Sequence, residues 1–333
     1  MLNVLLLNAY AANHAERLRS LLTTKWQVAT LDERQPGAPL EKALREADAL
    51  ITTRFGTTMP QAPRLRLIQS PVSGHDRVVA AAIPPQCVFC NVHEHEIAVG
   101  EYVMLAMLEW QIGLARLDAG FRAGDWTGGV AVAGHTHGEL AGKTLGLIGL
   151  GRIGRAVARR AKAFDMHVIA VTRTPPSEDH VDSQGPMEEL DAMLPRCDFL
   201  AVTWPLNEDT RGLIDDRRLA LCKAGLVIIN VARAAVLDEE ALYTALRDRR
   251  IAGAILDVWY SYPTANNSAA LPSRFPFNEL ANVIMTPHGS AWTDGLIARR
   301  WRFIAGNLDR LARGEPLLNV VSGPRLRAAR LSV

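Results

Sequence analysis

Short, continuous apolar runs recur along most of the chain. They are NVLLLN (3–8), ALITT (49–53), LRLIQS (65–70), LGLIGL (145–150), HVIAVT (167–172), FLAVTW (199–204), LVIIN (226–230), AILDV (254–258) and VIMTP (283–287). Between them lie stretches with apolar residues at helical spacing, such as 152–164 and 238–250. A strand that is apolar at nearly every position is buried on both faces, which is the condition of a parallel sheet covered by helices. Strand and helix taking turns predicts an α/β chain with two doubly wound parallel-sheet domains. Residues 97–122 keep helical spacing throughout and predict one long helix joining the domains, and 293–314 predicts an amphipathic helix that returns the chain to the first domain. The Pro-, Asn- and Ser-rich stretches 174–186 and 261–277 read as loops, and the basic end 323–333 as a solvated tail.

Composition narrows the classes. A length of 333 residues suits two domains, and 48% hydrophobic with 22% charged residues is ordinary for a globular protein. Thirty-seven basic and 35 acidic residues leave a net charge of +2, which gives no electrostatic reason to expect nucleic acid or an anionic membrane as partner. The apolar runs fall far short of the roughly 20 residues of a membrane helix. The start, MLNVLLLNAY, lacks the basic region of a signal peptide, and four cysteines are too few for a disulfide framework. These features together predict a cytoplasmic protein.

Gly149-Leu150-Gly151-Arg152-Ile153-Gly154 is a GxGxxG that follows a predicted strand and opens a predicted helix. In that context the first Gly makes a tight turn, the second lets the backbone approach a pyrophosphate, and the third lets helix pack on strand. Backbone N–H groups at the helix start then hold negative charge. The fingerprint comes late, and the residues before it suffice for a separate α/β domain. We therefore expect a first domain of residues 1–98 plus 290–333 and a dinucleotide-binding domain of 99–289. The second strand ends in Thr172, Arg173 and Thr174 rather than in the Asp or Glu that bonds a ribose 2′-hydroxyl. Arg173 would attract a 2′-phosphate, so NADP is expected in preference to NAD.

Three further strand ends carry polar side chains where open α/β sheets bind ligands: Arg233, Asp257 and His288. An Arg and a His at neighbouring strand ends suit an anionic substrate plus proton transfer. His93-Glu94-His95-Glu96 lacks an evident third ligand group for a metal, and Cys87 and Cys90 form a lone CxxC in a strand-like stretch, so no metal site is expected.

In combination the motifs resemble those of the D-isomer-specific 2-hydroxyacid dehydrogenases, which include glyoxylate and hydroxypyruvate reductases and phosphoglycerate dehydrogenase. The resemblance runs nearly the whole length, through SPVSGHD near residue 70, AVGEYVMLAML (98–108), GKTLGLIGLGRIGRAVA (142–158), WPLNEDTRGLI (204–214), NVARAAVLDEEAL (230–242), LDVW (256–259) and TPHGSAW (286–292). It implies a Rossmann dinucleotide-binding domain inserted in a flavodoxin-like substrate domain. It also implies hydride transfer between NAD(P)H and a 2-keto or 2-hydroxy acid, a cleft that closes on the ligand, and a homodimer formed through the cofactor domains. By position, Arg233 would bind the substrate carboxylate and polarise the keto oxygen, and His288 would exchange a proton with that oxygen. Val72, Ser73 and Gly74 would hold the carboxylate through backbone N–H groups. Val231, Ala232 and Asp257 match contacts to the nicotinamide end, Thr203, Trp204 and Pro205 the wall beside the adenosine, and Thr210 a residue near the phosphates. Arg54, His95 and Trp292 are further candidate substrate contacts. Trp259, Tyr260, Tyr262 and Trp292 would line an aromatic pocket suited to a larger 2-keto acid.

One departure matters. The family's Glu partner of the catalytic His falls 29 positions after the Arg, and here that position is Tyr262. Without a carboxylate, His288 is expected to titrate nearer the unperturbed value of about 6.5. Tyr262, or Asn266 or Asn267, would orient the ring without supplying charge. Ala234 replaces the usual Gly after the Arg. Two alternatives follow: formate-dehydrogenase-like hydride abstraction without a proton relay, and a non-catalytic nicotinamide-binding sensor or corepressor. The absence of a long N-terminal extension and the different NVHEHEI at 91–97 count against the first. Retention of both Arg233 and His288, with no disordered partner-binding tail, counts against the second.

Overall fold

The computed structural model describes residues 1–32, 37–173, 180–263, 267 and 269–323. Thr174, Asn266 and the basic end beyond Gly323 lie outside the described residues. The chain divides into two compact units, Met1–Glu94 with Thr293–Val333, and His95–Trp292.

The first unit contains β1 (Leu2–Leu7), β2 (Trp26–Leu31), β3 (Ala49–Ile51), β4 (Leu67–Gln69) and β5 (Val88–Cys90). The second contains β6 (Thr144–Ile148), β7 (His167–Val171), β8 (Ser183–Gly185), β9 (Phe199–Val202), β10 (Val227–Asn230), β11 (Gly253–Leu256) and β12 (Val283–Met285). The chain then returns to the first unit and ends in β13 (Val320–Ser322). The first sheet runs β13-β5-β4-β3-β1-β2, parallel except for β13, and the second runs β12-β11-β10-β9-β6-β7-β8, parallel throughout. These are the flavodoxin-like and Rossmann strand orders. In the second sheet the order reverses between β6 and β9, so the carboxyl ends of those strands flank the crevice where such sheets take ligands.

Strands β6, β9, β10 and β11 are buried almost end to end, with Leu145, Leu147, Phe199, Ala201 and Ile229 facing one layer of helices and Ile148, Leu200, Val202 and Ile228 the other. In the first unit the helix Asp294–Arg313 lays Trp301, Ile304 and Leu308 against Val4, Leu6 and Ile51. Its Asn307 donates to Gln69 Oε1 at 2.8 Å, and its Arg300 donates to the carbonyl of His93 at 2.9 Å.

The expected single helix over 97–122 is two helices, Glu96–Ile112 and Leu114–Arg122, bent by 49°. Gly113 separates them at φ +67°, a conformation that glycine adopts without a Cβ penalty and that ends a helix. Before the break Val99, Val103, Met104 and Met107 are buried, whereas after it Leu114 and Phe121 are exposed. No single helix among the described residues is long and apolar enough to cross a membrane.

Candidate active site

The turn after β6 is defined by space. Gly149 has φ +102°, and a Cβ there would lie 3.1 Å from the Trp204 nitrogen. A Cβ on Gly154 would lie 2.2 Å from the Gly149 carbonyl oxygen, so helix and turn touch backbone to backbone. At Gly151 the same construction meets nothing within 4 Å, which leaves an open approach to the backbone. Gly151 also starts the helix Arg152–Lys162, whose first turn has no capping side chain and no acidic residue. The amides of Arg152 and Ile153 thus open this helix beside clear space, an arrangement that fits the pyrophosphate of a dinucleotide. Thr203 donates to the Gly149 carbonyl at 2.7 Å and ties the end of β9 to the turn, with Trp204 and Pro205 following. Arg152 makes a 3.4 Å ion pair with Glu96. At the end of β7, Thr172 is buried with its N–H on the Gly185 carbonyl at 2.9 Å, and Arg173 is exposed.

Arg233 follows β10 in extended backbone, φ −145° and ψ 136°. Its turn is stapled by Asn230, fully buried, which donates to the Arg233 carbonyl at 3.0 Å and accepts from the Ala232 N–H at 3.1 Å. Val231 and Ala232 are buried beside it.

His288 stands after β12 at φ +59°, an uncommon backbone for a residue with a Cβ. Asp257, fully buried at the end of β11, holds that turn: its carboxylate accepts from Gly289 N–H at 2.7 Å, Ser290 N–H at 2.9 Å and the Thr286 hydroxyl at 2.6 Å. Thr286 in turn accepts from the Tyr102 hydroxyl at 2.7 Å, and its carbonyl accepts from Trp259 Nε1 at 2.8 Å. The Tyr262 hydroxyl lies 2.8 Å from His288 Nδ1 and accepts from the Trp259 N–H at 3.2 Å. His288 is exposed as a residue, yet partial withdrawal of its ring from water sets the imidazole below its ordinary value, while Asp257 pushes it up and Arg233 pushes it down. The expectation of a value near 6.5 is therefore corrected downward, because partial loss of water around the ring and a neighbouring guanidinium both disfavour the charged form.

Residues 104–290 match the family model described as "D-isomer specific 2-hydroxyacid dehydrogenase, NAD binding domain". The chain belongs to the D-isomer specific 2-hydroxyacid dehydrogenase family. Among curated proteins it is 32% identical over 297 residues to a glyoxylate reductase of Thermococcus gammatolerans, covering 85% of this chain and 86% of that one. It is 31% identical to a mitochondrial formate dehydrogenase of Solanum tuberosum, covering 91% and 81%. Among solved structures, a probable 2-hydroxyacid dehydrogenase from Rhizobium etli in complex with NADP, HEPES and L(+)-tartaric acid superposes with TM-score 0.74 at 25% identity, covering 97% and 98%. The protein is an NAD(P)-dependent oxidoreductase of 2-hydroxy and 2-keto acids.

Within that family frame, several expected site residues have other work in this structure. Thr210 is buried, and its hydroxyl donates to the Pro205 carbonyl at 2.9 Å and accepts from Asn207 N–H at 2.8 Å, closing the loop after β9. The expected aromatic pocket is reduced: Trp259 is buried against Phe277, and the half-buried Tyr260 donates to the Leu237 carbonyl at 3.1 Å. Two of the four aromatics thus belong to the core, and only Tyr262 (43%) and Trp292 (60%) present large open faces.

In the first unit, Arg54 is exposed after β3. Val72, Ser73 and Gly74 follow β4 in a loop held by Asn91, which donates to the Ser73 carbonyl at 2.9 Å, and by Ser70, which donates to the Val72 carbonyl at 2.9 Å. In the second unit, His95 occupies the N-cap position of Glu96–Ile112. Sequence reasoning missed Asn230, Thr286 and Tyr102. A polar residue closing an apolar strand, as in VIIN and VIMT, was the available signal for the first two.

Proposed function

We propose that this chain reduces small 2-keto acids such as glyoxylate and hydroxypyruvate to D-2-hydroxy acids, with NADPH preferred over NADH. The observation that carries the reading is Arg233 and His288 at the carboxyl ends of β10 and β12, in the same sheet whose β6 turn offers the dinucleotide cradle. When bound there, the nicotinamide supplies the hydride. Arg233 holds the substrate carboxylate and polarises the keto oxygen, and His288 Nε2 gives that oxygen its proton. In the reverse direction the neutral ring takes the proton back. The preference for NADPH rests on exposed Arg173 at the end of β7, where an acid would repel a 2′-phosphate. The retention of Asp257 and its bonds, which keep His288 in place, also favours a working enzyme over a sensor.

Initial rates with NADPH and NADH against glyoxylate, hydroxypyruvate, pyruvate and phenylpyruvate test this. Turnover mainly with NADPH is expected. Formate oxidation without any keto acid reduction would favour the second reading, which Tyr262 in place of a carboxylate supports.

The same proposal includes a homodimer through the cofactor domain. Leu105, Leu114, Phe121, Trp126, Val130 and Val132 expose an apolar succession between 105 and 132, more than isolated surface residues would. A molar mass by light scattering of twice the chain is expected. A cytoplasmic location goes with it, supported by Cys90, Cys197 and Cys222, which stand as thiols rather than in disulfides.

A further inference from the structure

The Tyr262–His288 pair has a chemistry of its own. The Tyr262 oxygen accepts the Trp259 N–H at 3.2 Å and lies 2.8 Å from His288 Nδ1, and a phenol can offer that nitrogen a lone pair. When the ring is cationic, Nδ1–H donates to the phenolic oxygen. When Nε2 has given up its proton, the neutral ring keeps Nδ1–H on the same oxygen. A carboxylate can only accept, and it adds a negative charge that favours the cation. Among the described residues, the charged groups that act on the ring are Asp257 after β11 and Arg233 after β10, and the phenol Tyr102 joins Asp257 through Thr286. Asp257 is already engaged by two backbone N–H groups and a hydroxyl, and Arg233 opposes the cation.

We propose that Tyr262 is a positioning residue that holds the His288 ring through an uncharged bond at Nδ1 in both protonation states, leaving Nε2 to exchange the proton with the substrate oxygen. This rests on the keto acid reading. In the step itself His288 Nε2–H breaks, the proton passes to the carbonyl oxygen as NAD(P)H is oxidised and the ketone reduced, and the neutral ring regains its proton from solvent. Reduction therefore draws on the cationic ring and hydroxy acid oxidation on the neutral one.

The experiment is a pH titration of the His288 ring by NMR on protein labelled with 15N-histidine. It would be run for wild type, Tyr262→Glu and Tyr262→Phe, with kcat and KM for glyoxylate measured in parallel. His288→Asn identifies the resonance. Tyr262→Glu is expected to raise the ring's midpoint by about 1 to 3 pH units. Tyr262→Phe, which keeps the ring and removes the bond, is expected to lower kcat about tenfold with KM within about twofold. A Tyr262→Glu midpoint equal to wild type, or a Tyr262→Phe enzyme with unchanged kcat, overturns the proposal. If the midpoints move as expected while wild type reduces no keto acid, the functional reading falls and the ring pairing stands.

Discussion

Two turns in the cofactor-binding unit end parallel strands of one sheet and both pass through positive φ, yet they are specified in opposite ways. After β6, Gly149 at φ +102° and Gly154 define the turn by side chains that are missing, and Gly151 borders space that meets no protein atom. After β12, His288 at φ +59° keeps its side chain and its strain, a cost of about 1–2 kcal/mol. The bonds from Gly289, Ser290 and Thr286 to buried Asp257 offset it. The first turn is a local property of six residues. The second depends on a carboxylate some thirty positions earlier and on a tyrosine at the other end of the unit. Space can be left by glycine, but a side chain proposed to give a proton has to be held.

Added methyl groups should therefore damage the first turn, and polar deletions the second. The largest expected effect is on chemistry: Arg233→Ala should lower kcat/KM for keto acid reduction about 100- to 1,000-fold while cofactor binding, followed by NADPH fluorescence, is retained. Asp257→Ala would leave two N–H groups and a hydroxyl without their acceptor, at about 1–3 kcal/mol each where buried. The melting temperature should fall by about 10 °C, with activity lost alongside. Gly154→Ala would drive a Cβ into the Gly149 carbonyl and should destabilise by about 1–3 kcal/mol in denaturant titrations. Gly151→Ala meets no protein atom, so its melting temperature should stay within about 1 °C of wild type while cofactor affinity falls. Equal losses of stability for these two glycines would erase the distinction drawn between them. The smallest effect is selectivity: Arg173→Glu should raise KM for NADPH about tenfold and leave KM for NADH nearly unchanged.

The parallel core was legible because its strands are apolar on both faces. The edges were less so. Strand β2 (WQVATL) alternates half-buried with exposed positions over part of its length, β8 is three residues inside a polar stretch, and β13 joins its sheet antiparallel. The break at Gly113 was hidden because apolar spacing continues through it, and only the left-handed glycine ends the first helix. In the site, Arg233 and His288 were legible as charged residues closing apolar strands. Asn230, Thr286 and Tyr102 were not, because their importance lies in which backbone groups they meet after folding. Trp259 and Tyr260 misled for the converse reason: aromatic residues beside a site signal core as readily as pocket.

The most direct test of the central claim, that His288 carries the proton, is kcat/KM for keto acid reduction and for hydroxy acid oxidation on the same enzyme between about pH 5 and 9. Reduction needs the cationic ring and is lost as pH rises through its midpoint; oxidation needs the neutral ring and appears over the same interval. The account predicts mirror-image profiles that share one midpoint below the ordinary histidine value of 6.5. Flat profiles across that range, or a shared midpoint above 7, would contradict it.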